Sequence, residues 1–230
     1  MKLILNRMGG KWKTSKYYPK PRYDIVIEPF AGGAGYSTYY NKRAMLFDVD
    51  PKVADAWDFI LRGDLDTLPH GLEIGTELDS VEWAHPGARE IVDRTCHIGG
   101  GTKRMNMVGN KSRWRDTTSA STIASCKKVR ELGTEFFKAD YRSAPDVEAT
   151  WFFDPPYQHF ASANAKYDAP TIDYAELRDF IMSRRGQIIV CEGDGADWLP
   201  FETLRYSQSH VNDFGKARYV EALIYYVEHQ

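Results

Sequence analysis

An α/β domain with a doubly wound sheet is the fold this sequence predicts, and three observations predict it. A strand-then-helix rhythm recurs at both ends of the 230 residues, acidic residues close several candidate strands, and a run of small residues follows the first of them. Composition agrees, since 43% hydrophobic and 27% charged residues are ordinary globular usage and exclude a disordered or collagen-like chain. The length suits one domain with a sizeable insertion at the usual ~150 residues per domain. No stretch reaches the ~20 apolar residues of a membrane span, and residues 1–22 lack the apolar run of a signal peptide. Cys96, Cys126 and Cys191 are too scattered for a disulfide framework or a metal knuckle, so a cytoplasmic protein is expected.

The elements follow in order. Asp24 to Ile27 is a β-branched run that enters Glu28-Pro29-Phe30 and then Ala31-Gly32-Gly33-Ala34-Gly35, which reads as strand, tight loop and helix start. Ala44 to Phe47 is the second strand, ending in Asp48-Val49-Asp50. Pro51 then suits the first turn of a helix with Val53, Trp57, Ile60 and Leu61 on one face, and Asp50 fits its N-cap. From residue 67 to 132 the rhythm lapses, apart from a helix expected near Ser121 to Leu132, and this stretch reads as an insertion. Strands resume at Glu135 to Ala139, ending at Asp140, and at Thr150 to Phe153, ending at Asp154-Pro155-Pro156-Tyr157. Asp173 caps a helix that buries Leu177, Phe180 and Ile181, and Gln187 to Cys191 is a buried strand ending near Glu192. Thr203 to His210 and Arg218 to Val227 read as a hairpin turning at Asn212 to Gly215.

Charge is segregated along this order. Residues 1–23 hold seven basic residues and no acidic one, and residues 101–130 hold eight against Asp116 alone. The remainder holds 15 basic and 31 acidic residues. Two cationic segments on an acidic body suit a polyanionic partner, because Lys and Arg that displace phosphate counterions supply most nonspecific nucleic-acid affinity. Solvated basic stretches are the alternative.

The chemistry gathers at strand ends, where doubly wound sheets bind ligands. Gly32, Gly33 and Gly35 would let backbone approach a cofactor closely, and Asp48 stands where acids accept bonds from ribose hydroxyls. Asp154 to Tyr157 is the most specific feature, since an acid, two prolines and an aromatic at a buried strand's end have no packing rationale. They suit methyl transfer to an exocyclic amine whose lone pair is delocalised into a nucleobase ring. With the Asp154 carboxylate and the Pro155 carbonyl accepting its two N–H bonds, the nitrogen becomes pyramidal and its developing positive charge is stabilised. Tyr157 would stack on a base flipped out of its duplex.

Four motifs, in order, resemble the alpha group of N6-adenine DNA methyltransferases, the DNA adenine methylases. Gly9-Gly10-Lys11 resembles their GGK motif, Glu28-Pro29-Phe30-Ala31-Gly32-Gly33 their cofactor loop, Asp48 their ribose-binding acid and Asp154 to Tyr157 their DPPY. Asp140, followed by Tyr141, resembles the acid that contacts the cofactor adenine amine. The resemblance implies S-adenosylmethionine as methyl donor and a Rossmann-like class I methyltransferase fold. That fold has a seven-stranded sheet with a C-terminal hairpin and an inserted target-recognition region, here residues 67–132. Ala34 takes the place of the family's second loop glycine, displaced to Gly35, and Arg7-Met8 replaces the aromatic before GGK. Lys11 is expected near the cofactor carboxylate or DNA and not in the core.

In the insertion, Lys103, Arg104, Lys111, Arg113 and Arg115 are interleaved with Met105, Met107 and Trp114 beside Gly99 to Gly101, a pattern that suits a DNA-facing loop. The cations would hold phosphates, and an Arg, Asn106 or Asn110 would read base edges in the major groove. His85, Cys96 and His97 lack the spacing of a zinc site, and no metal is expected. Residues from Gln158 to Tyr167 suit a mobile lid. The expected activity is site-specific adenine-N6 methylation of double-stranded DNA, by a monomer or alternatively a dimer. N4-cytosine or RNA-base methylation on the same fold, and a noncatalytic DNA-masking protein, stay open. The compact size, without an evident restriction domain, fits a solitary methylase of the kind phages and mobile elements carry in bacterial cells.

Overall fold

The computed structural model describes residues 1, 4–5, 10–96, 107–108, 111–159, 172–209 and 218–229, with backbone alone at 107–108, 111–112, 205–209, 218–222 and 229. In chain order the elements are β1 (Ile25–Glu28), α1 (Gly35–Tyr40), β2 (Arg43–Phe47), α2 (Pro51–Arg62) and α3 (Pro86–Cys96). Then come β3 (Met107–Val108), β4 (Lys111–Ser112), α4 (Asp116–Glu131), β5 (Glu135–Phe137) and β6 (Ala149–Phe153). The chain closes with α5 (Tyr174–Met182), β7 (Gly186–Gly193), β8 (Glu202–Ser209) and β9 (Arg218–His229).

Seven strands form one mixed sheet in the order β5-β2-β1-β6-β7-β9-β8. The first five are parallel, and β9 runs antiparallel to both β7 and β8. Counted within the sheet, the parallel strands stand third, second, first, fourth, fifth, the doubly wound arrangement of a Rossmann-like α/β fold. The order reverses between β1 and β6, where Val26 pairs Thr150 and Ile27 pairs Trp151, and that crevice is where such sheets bind ligands.

Side chains alternate across the strands and bury both faces. On β6, Trp151 and Phe153 meet Phe180 of α5, while Phe152 points the other way and stacks on Tyr36 of α1 at 4.1 Å. Such two-sided burial explains why β6 and β7 read as unbroken apolar runs. On β2, Ala44 and Leu46 join the cluster beneath α2, and Phe47 joins the cluster beneath α5. Helix α2 begins as expected, with Pro51 in its first turn and the Asp50 carboxylate accepting the Lys52 N–H at 2.9 Å. Its last carbonyls are not left open, because Arg130 of α4 donates to the oxygens of Phe59, Ile60 and Gly63.

Besides the short β3–β4 pair, two helices differ from expectation. Helix α3 lies in the stretch read as irregular, and α4 starts at Asp116 and not at Ser121. Helix α4 buries Thr118, Ser119, Thr122, Ser125 and Cys126 in place of large apolar residues, and the Thr122 hydroxyl is satisfied by the Thr118 carbonyl at 2.8 Å. Leu46, Trp57, Ile91, Trp114 and Cys126 share one apolar cluster, so the described part of 67–132 packs onto the sheet layer. The turn expected at Asn212 to Gly215 lies outside the described residues.

Candidate active site

Four of the expected site acids stand at the carboxyl edge of the sheet: Glu28 closing β1, Asp48 just past β2, Asp140 past β5 and Asp154 past β6. The segment that joins β1 to α1 crosses between them. Gly32 and Ala34 both have φ of +47°, and Ala34 caps α1 in the left-handed region that favours glycine. Asp48 holds this bend, accepting the Gly32 N–H at 2.8 Å through one oxygen and the Asp50 N–H at 3.0 Å through the other. Pro29 and Ala31 are buried, and Phe30 packs its ring 5.4 Å from that of Tyr141.

The glycines of this loop serve the protein's own N-terminal segment. A Cβ on Gly35 would lie 2.6 Å from the Trp12 nitrogen, and one on Gly33 would overlap the Leu5 carbonyl oxygen. That close approach brings Lys11 across the loop to the turn after β6. Lys11 is buried, only 8% exposed, contrary to the expectation that it avoids the core, because a counterion meets it there. Its Nζ lies 2.6 Å from Asp154 Oδ1 and 5.1 Å from the centre of the Tyr157 ring. Burial opposes the Lys11 charge, but the Asp154 carboxylate beside it holds the ammonium well above its ordinary range. Tyr157 is raised by burial, with Lys11 acting against the rise, so its phenol stays protonated.

Glu28 is a further titratable group in this neighbourhood. It is 3% exposed and accepts the Ser37 N–H at 2.8 Å, and burial pushes its carboxyl up to about 7. Asp140 caps the short turn that follows it, accepting the Arg142 N–H at 3.0 Å and pairing with the Arg142 guanidinium at 2.8 Å. Tyr141 is buried among Phe30 and Phe180, and its hydroxyl has no hydrogen-bond partner among the described residues.

The expected site residues thus divide. Lys11, Glu28, Pro29, Phe30, Ala31, Gly32, Gly33, Asp48, Asp140, Tyr141, Asp154, Pro155, Pro156 and Tyr157 occupy the carboxyl edge or the loops that close it. Gly10 is exposed beside Lys11, and Gly9 lies outside the described residues. Lys103, Arg104, Met105, Asn106, Asn110, His97 and most of the expected lid also lie outside them, as does the Lys111 side chain. Arg115 is exposed just before α4, and Arg113 is half-buried with an Nε that lacks a partner among the described residues. Trp114 corrects the DNA-facing reading. It is 0% exposed and donates its indole N–H to the Pro69 carbonyl at 2.7 Å, so it is a core residue between two arginines. His85 is likewise engaged, with Nε2 3.1 Å from Asp58 and Nδ1 accepting the Gly87 N–H at 2.9 Å.

Sequence reasoning missed Tyr174 and Glu192. The Tyr174 hydroxyl donates to the Pro156 carbonyl at 2.6 Å, and Glu192 accepts the Gln158 N–H at 2.9 Å. Only an acid closing a buried strand hinted at Glu192, and nothing local hinted at Tyr174. No protein-family model matches the chain, and no curated protein matches it.

Proposed function

We propose that the protein is a DNA adenine-N6 methyltransferase that uses S-adenosylmethionine and takes a flipped-out target adenine between Asp154 and Tyr157. The Lys11–Asp154 pair carries this reading. It joins, at 2.6 Å and across 143 positions, the two segments that resemble the GGK and DPPY motifs, at the edge where doubly wound sheets bind ligands. The sheet lends support, because the resemblance implies seven strands with a final hairpin and the described sheet has seven with β8 and β9 antiparallel.

The donor set around this edge fits the methyl donor. Asp48 and Asp140 are half-exposed carboxylates on adjoining strand ends, and each carboxylate has acceptor capacity beyond the backbone bonds it makes, as ribose hydroxyls and a purine amine require. Phe30 and Tyr141 add an aromatic wall, and the buried Tyr141 hydroxyl adds a polar group without a partner among the described residues. S-Adenosylmethionine, when bound, supplies a methyl group on a positively charged sulfur.

The chain's own residues handle the acceptor. Lys11 favours the ionised form of Asp154, which keeps that carboxylate an acceptor. Asp154 and the Pro155 carbonyl then accept the target amine's N–H bonds and stabilise the charge that develops on nitrogen. Tyr157 offers its ring to the base, and the pyrrolidine rings of Pro155 and Pro156 restrict the backbone between the two groups.

The test is to incubate the protein with unmethylated DNA and S-adenosylmethionine, digest the DNA and measure N6-methyladenine by mass spectrometry, with Asp154→Ala as control. The expected result is N6-methyladenine from the wild type alone. N4-methylcytosine would move the acceptor, and DNA binding without any methylated base in DNA or RNA would overturn the enzymatic reading.

A further inference from the structure

The turn from Asp154 to Tyr157 is held from three sides, and two of the holds come from residues outside every motif. Lys11 engages its first residue at 2.6 Å, and the Tyr174 hydroxyl engages the Pro156 carbonyl at 2.6 Å. Glu192, at the end of β7, engages the residue that follows Tyr157, accepting the Gln158 backbone N–H at 2.9 Å. Glu192 is 1% exposed, and a buried carboxylate is costly unless donors surround it. Here they do. The same Oε1 accepts the Trp198 indole N–H at 3.1 Å, and Oε2 accepts the Gly193 N–H at 2.7 Å. Three N–H donors leave the carboxylate one orientation.

A second observation places the Tyr157 ring against the same strand end. A Cβ on Gly193 would lie 2.8 Å from Cδ2 of Tyr157, so the ring rests on backbone that only glycine leaves open. The Gln158 side chain closes the arrangement, donating Nε2 to Asp197 at 3.1 Å and accepting the Asp197 N–H at 3.2 Å. Tyr157 is therefore gripped on one side by a cation acting on Asp154 and on the other by the buried Glu192 carboxyl acting on Gln158.

Resting on the methyltransferase reading, we infer that Glu192 is a positioning residue for methyl transfer, gripping the Gln158 amide so that the Tyr157 ring stays in register with Asp154. The base must meet the ring plane and the two acceptor oxygens together, and a turn held at one end alone would let them drift apart. Displacements on the order of 1 Å in such a constellation cost about 100-fold in rate. Glu192 touches neither base nor methyl donor in this account and acts through Gln158.

Glu192→Gln tests it, because Oε1 takes the Gln158 and Trp198 N–H groups and Oε2 the Gly193 N–H, and an amide in either orientation loses the charge and turns its own NH2 against at least one of them. Turnover on unmethylated DNA should fall between about 10- and 100-fold, with KM for S-adenosylmethionine and DNA unchanged. Hydrogen exchange at the Gln158 amide should accelerate at the same time. Gly193→Ala keeps the acceptor and displaces the ring, so it should lower kcat with the Gln158 amide still protected. A folded Glu192→Gln protein with wild-type kcat overturns the inference. Should that variant not fold, Gly193→Ala decides, and a wild-type kcat there also overturns it. If the wild type makes no methylated base, the methyltransferase reading fails, and exchange at Gln158 alone decides whether Glu192 holds the turn.

Discussion

Lys11 Nζ and Asp154 Oδ1 stand 2.6 Å apart, with side chains 9% and 22% exposed, although 143 positions separate them in sequence. The same ammonium faces the Tyr157 ring at 5.1 Å. One cation therefore orients both the acid and the aromatic of the turn, and charge neutralisation of the half-buried carboxylate is built into the fold.

Lys11→Met keeps much of the stem's packing and removes the charge. A loss of about 2 kcal/mol is expected, the scale of a hydrogen bond to a charged group. The double variant with Asp154→Asn should lose less than the two single variants together, and denaturant unfolding of the four proteins measures that coupling. Strictly additive losses would mean the pair contributes nothing.

Gly35→Ala drives a methyl group into the backbone of Trp12, which lies 2.6 Å from the position a Cβ would take. Backbone must shift, at a cost of about 1–3 kcal/mol, and the segment that shifts carries Lys11. Thermal unfolding should show a lowered midpoint, and methylation should fall with it. An unchanged midpoint would show that the N-terminal segment is not seated on the loop.

Glu28 predicts how stability depends on pH. Burial raises its carboxyl from 4.5 to about 7, and the Ser37 N–H acts against that rise. Through this window the native state keeps a proton that the unfolded chain has released, so stability falls as pH rises and levels off above the folded value. The loss is about 3 kcal/mol. Glu28→Gln retains an oxygen for the Ser37 N–H and cannot titrate, so urea midpoints measured below and above the window should differ less than in the wild type. Equal pH dependence in the two proteins would place the proton elsewhere.

Trp114 and Arg115 are adjacent and should behave oppositely. Trp114→Ala empties a fully buried site and should cost about 3–5 kcal/mol. Arg115→Ala removes an exposed charge and should leave the melting temperature unchanged. If Arg115 contacts a phosphate, the slope of log affinity for DNA against log salt should drop by about one. A slope identical to wild type would remove Arg115 from the DNA interface.

These contrasts mark what is legible in the sequence. Strands β6 and β7 are visible because both their faces are buried, and α2 and α5 because Asp50 and Asp173 cap helices with one apolar stripe. Helix α3 is obscure because four charged residues, Arg89, Glu90, Asp93 and Arg94, interrupt its buried positions, and the start of α4 because its inner face is Thr and Ser. A basic and aromatic pattern cannot tell a buried Trp114 from an exposed one. Motif residues such as Asp154 are readable locally, but Tyr174 and Glu192 reach Pro156 and Gln158 through the fold, and no spacing in the chain announces that.

Synthesis from the N-terminus gives the separation of Lys11 and Asp154 a temporal meaning. At about 5–20 residues per second, the ammonium precedes its carboxylate by roughly 7–30 s. Over nearly the same interval β1 has β2 on one side and nothing on the other, since the strand that pairs with Val26 begins near Thr150. A growing chain therefore carries an open central strand until β6 is made, and the event that covers that strand is the one that delivers Asp154 to Lys11.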